Sequence, residues 1–169
     1  MEEQQEPEGV VYTVLSPIEG KVVSIKDVPD PAFSNGLIGE GIGIIPEKEE
    51  VYSPVEGSIV SVFETKHAIL FEADYHIKVF IHIGIGSMRM QGRGFETHVK
   101  NGQKVDKLAP VLSVSLERLR EGTDAIVSPV VISSLDEGYQ MRIVASERVS
   151  VGDPIFEVIR TGPAQQVSS

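Results

Sequence analysis

The chain has no cysteine. That excludes a disulfide framework, thiolate catalysis and thiolate metal sites. It is short of positive charge: 15 lysines and arginines stand against 25 acids, a net charge of −10. Nucleic acid is excluded as a partner on that balance, because binding a phosphate backbone leans on Lys and Arg. The field instead assists basic partners. No apolar run is long enough to span a bilayer. The start of the chain, Met1 to Glu8, is acidic and polar, unlike a secretory leader. A cytoplasmic protein, not itself in the membrane, is expected. Helix signals are scarce too. Residues 95–100 read as one or two turns, and residues 115–122 as a short helix capped by Ser115 and stopped by Gly122.

What is present is β. At 169 residues, 41% hydrophobic and 24% charged, the chain reads as a globular protein with a substantial core. One domain is expected over residues 11–160, between polar tails at 1–10 and 161–169 that read as mobile. Short Val/Ile runs alternate with Gly, Pro and Asp clusters, as in a barrel or sandwich. Leu15-Ser16-Pro17-Ile18-Glu19-Gly20 recurs as Tyr52-Ser53-Pro54-Val55-Glu56-Gly57, and Ser128-Pro129-Val130-Val131 is a weaker third echo. A second unit repeats as well: Val105 is followed by Pro110-Val111-Leu112-Ser113-Val114, and Val149 by Pro154-Ile155-Phe156-Glu157-Val158. Two interleaved repeats predict an all-β, antiparallel β-sandwich with internal pseudo-symmetry. Taken singly, Pro-x-Glu-Gly is equally a turn that starts a strand.

Two histidines stand out. Ile77-Lys78-Val79-Phe80-Ile81-His82-Ile83-Gly84-Ile85 carries a β-branched residue at every odd position, the period of a strand with one face in a core. His82 therefore points away from that core, beside Phe80. The preceding run, His67-Ala68-Ile69-Leu70-Phe71-Glu72, also reads as a strand. A hairpin centred between Asp74 and Tyr75 sets His67 directly opposite His82, with Cβ atoms roughly 4.5–5.5 Å apart. An odd-length loop or a bulge would break that pairing. Imidazole is a nucleophile near neutral pH, so two of them on one face suggest chemistry. His76 and His98 read as solvated.

Phe63-Glu64-Thr65-Lys66-His67-Ala68-Ile69 and Val79-Phe80-Ile81-His82-Ile83-Gly84-Ile85 resemble the two active-site motifs of the glucose-type enzyme IIA component of the phosphoenolpyruvate:sugar phosphotransferase system. Asp27-Val28-Pro29-Asp30-Pro31-Ala32-Phe33, Gly39-Glu40-Gly41-Ile42-Gly43-Ile44 and Pro129-Val130-Val131-Ile132-Ser133-Ser134-Leu135-Asp136-Glu137 fit the same family in order. The resemblance implies a sandwich of the duplicated hybrid-motif type and a phosphocarrier. Such a protein accepts a phosphoryl group from the histidine phosphocarrier protein and passes it to a cysteine of a sugar-specific IIB domain. It implies His82 as the phosphorylated residue, His67 as its stabilising partner, Thr65 as the hydroxyl that orients His67, and the Gly84 carbonyl as the acceptor that holds His82. It also implies an apolar docking rim of Phe33, Leu37, Ile38, Phe63, Phe80 and Met88, flanked by Asp30 and Asp136. Phe33 and Met88 read equally as core. No cofactor is required.

The chain departs from the family pattern near the site. Gly86-Ser87 stands where an acid and Thr are typical, His76 replaces a turn glycine, Arg93 stands where Glu is common, and Asp106-Lys107-Leu108-Ala109-Pro110 lacks the Gly-Asp kept in Gly152-Asp153-Pro154. These changes suggest a divergent paralogue. Two other functions compete. His67 and His82 with Asp30 or Asp136 would make a zinc-hydrolase or other metal site. A regulatory module that docks proteins according to its phosphorylation state is the other. A biotin or lipoyl carrier is excluded, because no lysine sits at the required hairpin tip.

Overall fold

The computed structural model describes residues 9–161. Fourteen strands run along them: β1 (Val10–Leu15), β2 (Gly20–Ser24), β3 (Glu40–Pro46), β4 (Glu50–Tyr52), β5 (Gly57–Val62), β6 (Ala68–Ala73), β7 (Lys78–His82), β8 (Phe95–Thr97), β9 (Lys104–Val105), β10 (Pro110–Val114), β11 (Ser128–Ser134), β12 (Tyr139–Ile143), β13 (Arg148–Val149) and β14 (Pro154–Arg160). Two short helices join them, α1 (Pro31–Ser34) and α2 (Leu116–Gly122). The expected tails lie almost wholly outside the described residues. Val10, placed in a tail by sequence, already pairs with Ile159.

All strand pairs are antiparallel, in an eight-stranded sheet ordered β13-β2-β3-β11-β7-β6-β5-β9 and two three-stranded sheets, β1-β14-β12 and β4-β10-β8. This is the β-sandwich the repeats implied, and the pseudo-symmetry is explicit in the register. Val149 pairs with Gly20, which pairs with Pro46; Val105 pairs with Gly57, which pairs with Ala73. Each repeat makes the same turn. Ser16 Oγ donates to the Ile18 carbonyl at 2.8 Å and Ser53 Oγ to the Val55 carbonyl at 2.6 Å, both serines fully buried. The turns also grip each other: the Leu15 N–H donates to the Pro54 carbonyl and the Tyr52 N–H to the Pro17 carbonyl, each at 3.0 Å.

The third echo is not a third repeat. Ser128 Oγ donates backwards, to the Ile126 carbonyl, and Pro129 lies inside β11. The helix expected at residues 95–100 is also overturned. Phe95–Thr97 is a strand paired with β10, because Phe95 in and Glu96 out suits an edge pairing better than a weakly helical sequence suits a helix. The helix expected at residues 115–122 is there, with Ser115 Oγ accepting from the Arg118 N–H.

Alternation divides the large sheet into two faces. Ile42, Ile44, Ile69, Phe71, Val79, Ile81, Val130 and Ile132 face the main core with Ile18 and Phe156. Val131 and the partly buried Val23, Ile45 and Phe80 face a smaller cluster, covered by Val28, Phe33, Ile85 and Val127. The histidine pair stands beside that smaller cluster. Among the described residues no helix is long and apolar enough to cross a membrane.

Candidate active site

His82 ends β7 on the outer face, as the period-two pattern requires: Ile77, Val79, Ile81 and Ile83 are buried and His82 is half-buried. Its direct partner is Ala68, not His67. The expected register is off by one because the connecting loop has three residues, Asp74–His76, closed by the Ala73 N–H to the Ile77 carbonyl at 2.8 Å. Tyr75 and His76 take φ of 62° and 57°, which ordinary residues adopt rarely. The two imidazoles meet nonetheless, with ring centroids 4.6 Å apart and planes at 84°. The turn before β6 brings them together. Lys66 takes φ 65°, and the chain there is not extended, so His67 escapes strict alternation. The His67 carbonyl accepts from the Ile83 N–H at 2.7 Å, tying the segments.

The ring nitrogens are individually placed. His82 Nδ1 lies 2.8 Å from the Gly84 carbonyl oxygen. A carbonyl only accepts, so the neutral ring carries its proton on Nδ1 and leaves a lone pair on Nε2. Gly84 takes φ 77°, and a Cβ there would stand 3.1 Å from Leu119 Cδ1; glycine thus allows the turn that aims this carbonyl back at His82. Thr65 Oγ1 lies 2.8 Å from His67 Nδ1. His67 is fully buried, and its Nε2 has no hydrogen-bond partner among the described residues.

Burial pushes the His67 pKa down to about 4, assisted by the neighbouring His82 charge and opposed by the Thr65 backbone. Burial also lowers His82, against the Gly84 carbonyl and the Asp30 carboxylate, which favour its charged form. Both rings are therefore neutral at neutral pH. His82 Nε2 is then a free nucleophile beside a buried polar atom that lacks a partner.

The proposed rim divides. Leu37 is 75% and Met88 59% exposed, Phe63 is exposed and Ile38 and Phe80 are half-buried, so Met88 is not core. Phe33 is only 3% exposed and belongs beneath the surface, a correction to its place in the rim. Its ring stacks on Phe80 at 6.4 Å and meets His82 edge-on at 5.3 Å. Phe63 packs against His67 and Phe80 at 5.6 and 5.7 Å. Asp30 caps α1, its Oδ1 accepting from the Ala32 N–H at 3.0 Å. Asp136 is corrected as well: it pairs with His76 at 2.8 Å, before the start of β7. From Lys78 to His82 is roughly 13 Å of strand. His76 is thus exposed but not free, and that pairing raises its pKa. His98 is exposed and bonds Ser113 Oγ at 2.8 Å.

Sequence reasoning missed what clamps Gly84. Ser128 Oγ accepts from the Gly84 N–H at 3.0 Å, and Ser87 Oγ donates to the Ile83 carbonyl at 2.6 Å. The Ile85 N–H donates to the Ala125 carbonyl and the Asp124 N–H to the Ile85 carbonyl, both at 2.8 Å. The only sequence signal for Ser128 was its Ser-Pro echo, which pointed to a repeat. Gly86, where an acid was expected, takes φ 81°; a Cβ there would stand 2.7 Å from Arg89 Nη1 and 2.9 Å from Asp124 Oδ2. An Arg89–Asp124 ion pair thus occupies the space a side chain would enter.

The zinc-hydrolase reading finds no third ligand beside His67 and His82 among the described residues. Among the described residues no three His, Asp or Glu side chains gather as a metal site, and both candidate third ligands, Asp30 and Asp136, are engaged elsewhere.

Comparison with known proteins agrees with this geometry. Residues 12–138 match the family model described as phosphoenolpyruvate-dependent sugar phosphotransferase system, EIIA 1. The chain is 34% identical over 157 residues to the PTS system glucose-specific EIIA component of Oceanobacillus iheyensis, covering 92% of this chain and 94% of that relative. It is 35% identical over 140 residues to the protein of the same name from Staphylococcus aureus, covering 83% and 84%. The glucose permease IIA from Mycoplasma capricolum superposes with a TM-score of 0.81 at 28% identity, over 87% of this chain and 94% of that one. Such components relay phosphoryl groups during sugar uptake, between a phosphocarrier protein and a sugar permease. With its double-histidine site on a duplicated β-sandwich, the chain belongs to the EIIA 1 family of the phosphoenolpyruvate-dependent sugar phosphotransferase system.

Proposed function

We propose that His82 Nε2 is the atom that carries the phosphoryl group, within a single IIA domain over residues 11–160 acting in the cytoplasm. The observation that carries this reading is the 2.8 Å bond from His82 Nδ1 to the Gly84 carbonyl, which leaves Nε2 free beside His67. The Nε2 lone pair attacks phosphorus in line. The bond from phosphorus to the donor's histidine nitrogen breaks, and that nitrogen keeps the pair. In the second step a thiolate of the IIB domain attacks, and the pair of the N–P bond returns to Nε2. The proton stays on Nδ1, donated to the Gly84 carbonyl, throughout.

His67 supports the transferring group. With the Thr65 hydroxyl as donor to Nδ1, the His67 proton sits on Nε2, where it can be offered to a phosphoryl oxygen. In a loose phosphoryl transition state such positioned charge supplies most of the catalysis. Leu37, Ile38, Phe63, Phe80 and Met88 form the apolar surface on which both partners dock in turn, with Asp30 at its edge. Asp136 belongs instead to the His76 pair. Gly86 and Arg93 mark a divergent member with its own partner preference.

Incubation with enzyme I, the histidine phosphocarrier protein and phosphoenolpyruvate tests the assignment. Phosphorus NMR should show a phosphohistidine in wild type and none in His82→Ala. An unlabelled wild type, where a known family member labels, would sink it.

A further inference from the structure

The chain is poor in positive charge, yet three of its seven arginines line one groove. Arg89, Arg93 and Arg118 surround a space of about 450 Å3 together with Met90, Glu121 and Gly122. Arg89 comes from the turn after Gly86, Arg93 from the loop that follows, and Arg118 from α2. Two of the four other arginines are neutralised, Arg142 by Glu157 and Arg148 by Glu47. Among the described residues Arg93 and Arg118 have no carboxylate at ion-pair distance. Two unpaired guanidinium groups facing one concavity repel each other, so their juxtaposition favours an anion between them.

Contacts within the protein hold the walls of the groove. Arg89 is fixed by bonds of 3.4 and 3.0 Å to the Asp124 carboxylate. The Arg93 N–H bonds the Met90 carbonyl at 3.0 Å, and the Arg118 N–H is held by the Ser115 cap at 3.2 Å. A Cβ at Gly94 would stand 3.1 Å from Arg118 Cβ, so the loop lies directly against the helix.

From this arrangement we propose that the groove binds a phosphate monoester of small-metabolite size. Guanidinium forks match phosphate oxygens two at a time, and several of them suit a dianion better than a lone carboxylate. The volume falls within the roughly 300–1,000 Å3 of small-molecule sites. Glu121 is an acceptor for hydroxyls of the alcohol part. The site is separate from His82 and does not rest on the phosphocarrier reading. It shares Arg89 with the Asp124 pair that fills the space beside Gly86, so an occupied groove competes with Asp124 for that guanidinium.

The test is an amide NMR titration of the full chain with inorganic phosphate and with glucose 6-phosphate, at ionic strength fixed with sodium chloride. The expected result is saturable shifts at Gly92, Gly94 and Gly122, stronger for the sugar ester. The exposed double variant Arg93→Ala/Arg118→Ala should weaken binding by about tenfold or more. The control Arg142→Ala/Arg148→Ala, which removes the same charge elsewhere, should leave it unchanged. Absence of saturation, equal binding by the two double variants, or binding of a polyglutamate peptide without binding of either phosphate would overturn the proposal. Phosphoryl acceptance at His82 is read separately by phosphorus NMR, so either idea can fail alone.

Discussion

The two halves of this sandwich share a strand plan and differ at one address. His82 stands opposite Ala68 on the β6–β7 pair; Val131 stands opposite Gly41 on the matching β3–β11 pair. His67 precedes Ala68 just as Glu40 precedes Gly41. The connections before them differ most. Residues 63–67 make a tight turn in the second half, whereas residues 25–39 in the first form a longer excursion that includes α1. That excursion lays Phe33 into the small cluster with Val131 and brings the same ring edge-on to His82. One half therefore closes its own copy of the site and lends a wall, plus the Asp30 charge, to the other. The two halves share a frame, and the histidine pair stands where they differ.

The largest expected effect comes from removing His67, whose matching position holds Glu40. His67→Gln should still accept a phosphoryl group but deliver it to the IIB domain about 10²–10³-fold more slowly, the usual cost of losing one transition-state donor. Glu40→Gln, at the matching place, should transfer at the wild-type rate. Rapid-quench transfer assays decide; equal rates for both variants would remove the asymmetry. Next in size is Ser128→Ala. It leaves the buried Gly84 N–H without its partner, at about 1–3 kcal/mol of stability by denaturant titration, and should slow acceptance by loosening the carbonyl that holds His82.

Acid should act through the same buried ring. The folded-state pKa of His67 lies near 4, below its ordinary 6.5, so the unfolded chain binds more protons between those values. Stability is then full above about pH 6.5 and falls as pH drops toward about 4. Urea midpoints across that window should slope downward in wild type and flatten in His67→Gln; parallel slopes would contradict the assignment. The smallest effect tests the backbone. Gly152 and Leu108 occupy matching turns with φ of 96° and 67°, their N–H groups bonding the Ser16 and Ser53 carbonyls. Gly152→Ala should cost about 1 kcal/mol, and Leu108→Gly should relieve a similar strain, partly offset by chain entropy. Melting temperatures moving the same way would argue against equivalent turns.

Much of this was legible in the chain. Alternating Val and Ile fixed which face of β7 His82 occupies, and paired Ser-Pro-x-Glu-Gly motifs announced the duplication. Register was not legible, because it depends on whether the Asp74–His76 loop is odd or even, and Tyr75 and His76 adopt a conformation their side chains do not advertise. Nor was the placement of Phe33 and Asp136 legible, since both are set by contacts between segments distant in sequence. Ser128 escaped for the same reason: its partner, Gly84, is 44 positions away.

The central claim is that Gly84 fixes the reacting nitrogen of His82. Nitrogen-15 NMR of the imidazoles, before and after phosphorylation by the phosphocarrier protein, tests it directly. The account predicts a neutral His82 with its proton on Nδ1, and after reaction a phosphorus–nitrogen coupling to Nε2 of His82 alone. Coupling to Nδ1, or to His67, would contradict it.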